Sequence, residues 1–293
     1  MRLRGLDLPV SFAAQYRSIE MPPWGGVIDR KWERVLTSDA KQEWRQLINQ
    51  SLSSRPFDQH ERGRRYLFSK VYESRGIWFK SYPNVSLSQR IARLLGRNKA
   101  SNAWRNAWFL IQCGITTPRP VLALNSLWWR RQPEWVAFED FANAQTFTRC
   151  YSNQIASGRS IQQLLIAVGQ FIGQLHESRW WHRDLNGSNL LVRASADSTY
   201  KFCIVDINRM RRTRRMNQYK RIHDLVRLGV SRADYETLLK SYADVTDIVV
   251  DANMLRRALD HSQQLHAARQ ARSYLRWWLK VSYQLGKIRN LGI

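Results

Sequence analysis

The chain has 293 residues, 44% of them hydrophobic, enough to bury a sizeable core in one large domain or in two lobes that share a cleft. Its 47 Lys and Arg against 23 Asp and Glu leave a formal net charge of +24, which implies a partner of opposite sign: nucleic acid or an anionic membrane surface. No apolar run approaches the ~20 residues of a membrane-spanning helix and the opening MRLRGLDLPVSF lacks the apolar stretch of a signal peptide, so a spanning protein is excluded and a cytoplasmic one expected.

Three cysteines, Cys113, Cys150 and Cys203, lack metal-like spacing and are expected as buried small hydrophobes. No internal repeat or low-complexity linker divides the chain. YLFSKVYESRGIWFKSY (66–82) holds two β-rich stretches around ESRG and predicts a hairpin with Lys70 and Lys80 on opposite strands. A helix follows from Ala100 to Cys113, with Ala103, Ala107 and Leu110 on one stripe and Gly114 as its stop. TTPRPVLAL leads into a strand, and EWVAFEDF (134–141) is a second one, ending in the acids Glu139 and Asp140 at an expected hinge.

The segment 161–178 places Ile161, Leu164, Leu165, Val168, Phe171, Ile172 and Leu175 on a wide apolar face, the spacing of a core helix. WWHRDLNGSNLLV, starting at Trp180, comes next. It runs into the strand NLLVRA, a turn at SADST, and a strand YKFCIVDINRM that reaches Asp206. From Gln218 on the pattern is mostly helical. Asp184 and Asn189 stand five residues apart across a tight loop, and a hairpin would bring Asp206 to them. Three oxygen-bearing side chains in one small volume suit Mg²⁺, which takes the rest of its shell from water and phosphates. A carboxylate left free of the metal can orient a hydroxyl and accept its proton.

His182-Arg183-Asp184-Leu185 with Asn189 resembles the H-R-D-L-x-x-x-N catalytic loop of the protein-kinase-like fold, and Asp206 falls where that fold keeps its metal-binding Asp. AWRNAWFLIQCGITTPRPV, IVDINRMRRTRR and KRIHDLVRLGVSRADYETLLKSY are more specific. They resemble the bacterial lipopolysaccharide core kinases, which phosphorylate Kdo or heptose sugars, and the resemblance spans roughly Tyr66 to Tyr242. It implies an α+β, bilobal fold. A small N-terminal lobe with an antiparallel sheet and one helix would lie within 1–140, and a larger, mostly helical catalytic lobe within 141–293.

Carried over position by position, the resemblance implies Asp184 as the catalytic carboxylate, Asn189 and Asp206 as Mg²⁺ ligands, and Lys80 as the contact to the α and β phosphates of ATP. His182 and Arg183 would support the loop from within, and Asp224 resembles the acid that braces it from a following helix, a surface charge being the alternative. Lys70 is the alternative to Lys80. The chain departs from the kinase pattern in three places: the helix from Lys99 to Cys113 holds no acid, with Ala103 about where a Glu partner for the lysine would stand; DIN replaces D-F-G; and no G-x-G-x-x-G occurs between 61 and 80.

The basic stretch RMRRTRR (209–215) puts Arg209, Arg211, Arg212, Arg214 and Arg215 where an anionic acceptor or a membrane could meet them, a solvated turn being the alternative. In 271–290, Trp277 and Trp278 alternate with cations in a pattern suited to a lipid interface or to a core-docked helix with a basic outer face. Together these features point to a sugar kinase acting on a lipid-linked anionic acceptor at the inner membrane's cytoplasmic face. An RNA-associated atypical protein kinase and a catalytically silent binding module of kinase fold are the competing readings. Antibiotic kinases more often carry acidic clefts for cationic drugs, the wrong sign for this chain.

Overall fold

In a computed structural model the described residues are 15–21, 24–33, 67–72, 75–82, 98–126, 133–195 and 199–248, with isolated positions at 46, 91 and between 253 and 271. Trp277 and Trp278 lie outside them, as does the side chain of Lys70.

The N-terminal part is a six-stranded antiparallel sheet. Its strands are β1 (Tyr16–Met21), β2 (Trp24–Asp29), β3 (Leu67–Tyr72), β4 (Arg75–Tyr82), β5 (Pro120–Ser126) and β6 (Glu134–Glu139), in the order β1-β2-β5-β6-β4-β3. The expected hairpin is β3–β4, paired from Leu67↔Lys80 to Tyr72↔Arg75. Side-chain alternation sorts the sheet's faces. Ile77, Phe79, Leu122, Leu124, Trp135 and Ala137 pack in one apolar cluster with Ile28 and Trp32. The intervening Ala123 and Val27 turn to the other face and meet Trp104 and Trp108 of α2 (Lys99–Gln112). Lys80 follows Phe79 and so falls on the face of Tyr82, with its ammonium 5.6 Å from that ring's centre.

The strands β1 and β2, with the single-turn α1 (Arg30–Glu33), were not foreseen. They extend the sheet beyond β5, from Trp24↔Ser126 to Ile28↔Leu122. Tyr16 stands edge-on to both Trp104 and Trp108, at 4.8 and 4.9 Å between ring centres, and so fastens this hairpin to α2. Trp32 donates its indole N–H to Glu139 at the end of β6, and Arg119 pairs with the buried Asp29. The expected hinge acids are thus side-chain acceptors, since Asp140 likewise receives the indole N–H of Trp78.

After Asp140 helices outweigh strands among the described residues. The short β7 (Gln145–Thr146) leads into α3 (Phe147–Ala156), and then come α4 (Gln162–Glu177), β8 (Trp180–Trp181), β9 (Leu190–Ala194) and β10 (Tyr200–Ile204). A 3₁₀ turn (Ile207–Arg209), β11 (Arg211–Arg212), α5 (Gln218–Arg227) and α6 (Tyr235–Ala243) follow. The apolar stripe predicted for 161–178 is buried in the largest core cluster, with Leu164, Leu165, Val168, Ile172 and Leu175 packed on Leu238, Leu239 and Tyr242 of α6. α4 and α6 approach so closely that a Cβ on Gly169 would stand 2.7 Å from the carbonyl oxygen of Leu238. Among the described residues no helix is long and apolar enough to cross a membrane. Cys150 and Cys203 are buried as expected, but Cys113 is exposed: it follows the last turn of α2, where the apolar stripe has already ended.

Candidate active site

The polar loop between β8 and β9 is built from beneath. Asp224, fully buried on α5, accepts the backbone N–H of His182 at 2.8 Å and of Arg183 at 3.1 Å. Burial alone would raise its pKa, but the hydrogen bonds from His176 and His223 and the nearby histidine charges outweigh it and hold the carboxyl well below the usual range. Of the two readings of Asp224, the brace is the one the fold adopts. His182 is also fully buried; its Nε2 meets the carbonyl of Val205 at 3.1 Å and its Nδ1 meets the N–H of Asp184 at 3.3 Å. Burial lowers its pKa, so the ring is neutral and links the loop to the strand that carries Asp206.

Held in this way, Arg183 adopts a left-handed backbone with φ 70°, a conformation that costs a non-glycine residue on the order of 1 kcal/mol and persists where surrounding contacts impose it. Its guanidinium lies over Trp181, 5.3 Å from the ring centre. Gly187 completes the loop where no larger residue fits, since a Cβ there would stand 2.4 Å from the hydroxyl of Thr148 and 2.9 Å from the carbonyl oxygen of Leu228.

Asn189 folds its amide back onto the carbonyl of Asp184 at 2.8 Å, and its own carbonyl receives the N–H of Val205 at 3.0 Å. The loop and the end of β10 are thereby one unit. Asp206, the next residue, is left-handed at φ 57° and accepts the ammonium of Lys80 at 2.7 Å. Both side chains are partly exposed, at 19% and 24%, so this ion pair stands at the edge of solvent. It joins the sheet to the helical part. Lys80 is placed at the site, and it pairs with Asp206, not with a helix acid; Ala103 is buried core.

Another residue of α2 supplies the link that a helix acid would have made. Asn106, buried, donates its amide to the carbonyls of Ile207 at 2.8 Å and Met210 at 3.2 Å, across the turn that follows Asp206. Reading the helix for an acid missed it, and a buried amide one turn on from Ala103 was the available signal. α2 is set from its other end too, where Glu134 on β6 accepts the N–H of Ala100 at 3.0 Å, a carboxylate at a helix N-terminus. Thr117, in the loop before β5, donates its hydroxyl to the carbonyl of Ile204 and steadies the approach to Asp206.

The side chain of Asp184 faces two arginines. Arg227 of α5 donates to Oδ1, and Arg209 stands 3.8 Å from Oδ2. Arg227 sits three residues after Asp224, so one face of α5 holds the loop's backbone with an anion and its carboxylate with a cation. The sequence reading did not single it out. Of the basic stretch, Arg209 reaches Asp184, whereas Arg211, Arg212, Arg214 and Arg215 are exposed, the first two paired in β11 with Trp181 and Trp180.

Asn189 and Asp206 offer the oxygen donors that Mg²⁺ prefers. The amide of Asn189, anchored through Nδ2, leaves its Oδ1 without a protein partner among the described residues, as a metal-facing oxygen requires. With two protein donors such a site depends on phosphate oxygens for completion.

The solved structure described as WaaP in complex with acyl carrier protein superposes with a TM-score of 0.56 at 17% identity, over 78% of this chain and 97% of that one. A second, a crystal structure of monomeric WbdD, is also 17% identical and covers 58% of this chain and 44% of its own, with a TM-score of 0.36. No curated protein sequence matches. The first likeness establishes a kinase-like fold, and the model of one sequence family matches residues 50–248, well over half the chain and the whole of the site. The protein belongs to the lipopolysaccharide kinase (Kdo/WaaP) family.

Proposed function

We propose that the protein uses ATP and Mg²⁺ to phosphorylate a sugar hydroxyl of the lipopolysaccharide inner core, on Kdo or heptose or a similar anionic glycolipid. The observation that carries this reading is the Lys80–Asp206 pair, whose acid belongs to the same loop-and-strand unit as Asp184 and Asn189. Phosphoryl transfer asks for positioning and charge neutralisation above all, and a lysine, two oxygen donors and an oriented carboxylate provide them. Lys80 holds the α and β phosphates, and Asn189 and Asp206 hold Mg²⁺, whose charge offsets that of the phosphates. Asp184 accepts the acceptor hydroxyl through Oδ2, the oxygen that makes no direct hydrogen bond. The hydroxyl oxygen bonds to the γ-phosphorus as the bridge to the β-phosphate breaks. ADP departs, and the hydroxyl proton passes to the carboxylate.

The segment at Asp140 serves as the division between a nucleotide-binding part, 1–140, and a catalytic part, 141–293. Exposed arginines from 211 to 215 hold the protein at an anionic leaflet, where a lipid-linked acceptor presents its sugar. Incubating the protein with labelled ATP, Mg²⁺ and lipopolysaccharide precursors, followed by mass spectrometry, tests the reading. A phosphate added to the lipid-linked sugar is expected. Phosphorylated RNA-bound protein in place of the sugar would favour the nucleic-acid alternative, and nucleotide binding without transfer to any acceptor would favour the silent binding module.

A further inference from the structure

We propose that Arg227 and Arg209 form a two-guanidinium receptor for an anionic group, carboxylate or phosphate, borne by the acceptor sugar beside the hydroxyl that reacts. The proposal rests on the reading of Asp184 as the acceptor-orienting carboxylate and adds the feature that selects the acceptor.

The argument begins with a charge imbalance. Among the described residues Asp184 is the one ion-pair partner of Arg227 and also of Arg209. Two guanidinium groups therefore share one carboxylate, while Lys80 is matched by Asp206 on the nucleotide side. One positive charge is left over beside Asp184. Near Arg227 stand His223 and His261, whose rings are 6.0 Å apart, with His261's pKa lowered by desolvation and by the charges of His223 and Arg227, and Asp224 one turn earlier on α5, whose carboxylate is already engaged by the backbone N–H groups of His182 and Arg183 and by His176 and His223. These histidines add no compensating anion.

Geometry places the surplus where an acceptor must sit. Arg227 spends one of its five N–H donors on Asp184 Oδ1; its Nε is buried, and among the described residues no hydrogen bond engages Nη1. Arg209 is more exposed, at 60% against 21%, and approaches Oδ2 from its own turn at 3.8 Å, too long for a direct hydrogen bond. A hydroxyl on Oδ2 stands beside Arg209, with Arg227 on the other oxygen of the same carboxylate. An anion on a neighbouring carbon of the same sugar can then take the Nη1 end of Arg227 and the exposed head of Arg209, without displacing the bond that fixes Oδ1. A sugar lacking that anion leaves both cations under-compensated. The planar fork suits a two-oxygen anion better than an ammonium would.

Calorimetric titration tests this on the intact protein with Mg²⁺ and a non-hydrolysable ATP analogue. The probes are Kdo and its methyl ester, and separately a heptose phosphate and the unphosphorylated heptose. The wild type is expected to bind at least one charged probe about tenfold or more tightly than its neutral counterpart, the range of a charge-assisted hydrogen bond. Arg227→Gln should bring that ratio to within about twofold, and Arg227→Lys, the variant to use if the Gln form melts early, should keep part of it as a point charge. The pair that shows the preference identifies carboxylate or phosphate as the anion. The same ratio in the wild type, Arg227→Gln and Arg209→Gln would overturn the receptor, as would equal binding of charged and neutral probes by the wild type. Transfer assays separate the two proposals. Phosphorylation of ester and acid at equal rates sinks the receptor and leaves the kinase reading, whereas an Arg227-dependent preference without any transfer does the reverse.

Discussion

Asn106 holds the carbonyls of Ile207 and Met210 from α2, so the turn after Asp206 is tied to a helix of the sheet-bearing part by a neutral amide and not by an ion pair. A buried amide brings no desolvated charge with it, yet it fixes the same distance. Truncating it leaves two carbonyls without their side-chain donor in a buried place, each lost bond costing about 1 kcal/mol and up to about 3 if water cannot replace it. Asn106→Ala should therefore lower the melting temperature and, because Asp206 loses its anchor, depress turnover more than nucleotide affinity. Equal loss in a variant that removes an unrelated buried amide, such as Asn125→Ala, would show the effect to be general destabilisation.

Lys80 makes the second prediction. Its ammonium meets Asp206, and it shares a sheet face with Tyr82 at the side of the site. Lys80→Ala should reduce turnover by roughly 100-fold or more, the scale of losing one preorganised charge at a transferring group, with little change in melting because the pair is partly solvated. Lys70→Ala, on the neighbouring strand, should leave ATP titrations near wild type. The opposite order in those titrations would move the phosphate contact to Lys70.

How far the sequence alone reached follows from what each signal encodes. The tight polar loop and the 161–178 helix were legible because local spacing fixes them: His182, Asp184 and Asn189 lie within one loop, and an apolar stripe needs no knowledge of its partner. Asp224 was half-legible, since α5 can present an acid either to a loop or to water. Arg227 went unread because its role appears when α5 is docked under the loop, and an arginine one turn beyond Asp224 otherwise resembles a solvated charge. The pairing of β2 with β5 joins residues about a hundred positions apart, and strand alternation tells which face is buried but not against what.

That hairpin supports a third prediction. Trp32 is buried at 1% exposure and also bonds Glu139, so Trp32→Ala should destabilise by about 3–5 kcal/mol, the usual cost of removing a large core aromatic. Tyr16 meets α2 through Trp104 and Trp108, so Tyr16→Ala should loosen the helix that carries Asn106. Hydrogen exchange of α2 is expected to quicken in Tyr16→Ala. Unchanged protection in α2 would show that the hairpin is carried by the sheet without bracing the helix.

A fourth prediction concerns acid. The pKa of Asp224 is lower in the folded protein than in the unfolded chain, so its contribution to stability is present above the ordinary aspartate value and is lost as pH falls toward the folded value. His182 is buried neutral with a lowered pKa, so the unfolded chain binds its proton first, and stability drops as pH falls below the ordinary histidine value of about 6.5. Both effects have the same sign. Melting temperature should decline from about pH 7.5 to about pH 5, a decline that His182→Asn should flatten over that window, while the steeper loss below about pH 4 should remain. A His182→Asn profile parallel to the wild type would assign the neutral-range decline to other groups.

Peripheral attachment to an anionic leaflet is the last expectation, and it follows from charge and from the place where a lipid-linked sugar must be met. Arg211, Arg212, Arg214 and Arg215 are exposed on one short stretch close to Arg209, which itself reaches Asp184, so a surface that attracts the stretch also brings its headgroups to the site. Each Lys or Arg near such a surface contributes on the order of 1 kcal/mol, and a few acting together can hold the protein without a spanning helix. Salt opposes this attraction, because the screening length shortens from about 8 Å at physiological ionic strength to about 3 Å at 1 M. Co-sedimentation should therefore show binding to vesicles rich in anionic lipid, little to neutral ones, and release as salt rises. Changing Arg211, Arg212, Arg214 and Arg215 to Ser should weaken binding at low salt and reduce its salt dependence. Changing Trp277 and Trp278 to Ala should remove whatever binding survives high salt. Equal binding of the wild type to neutral and anionic vesicles at every salt concentration would reject the electrostatic account, and an Arg-to-Ser variant that binds as well as the wild type would place the attachment elsewhere on this basic chain.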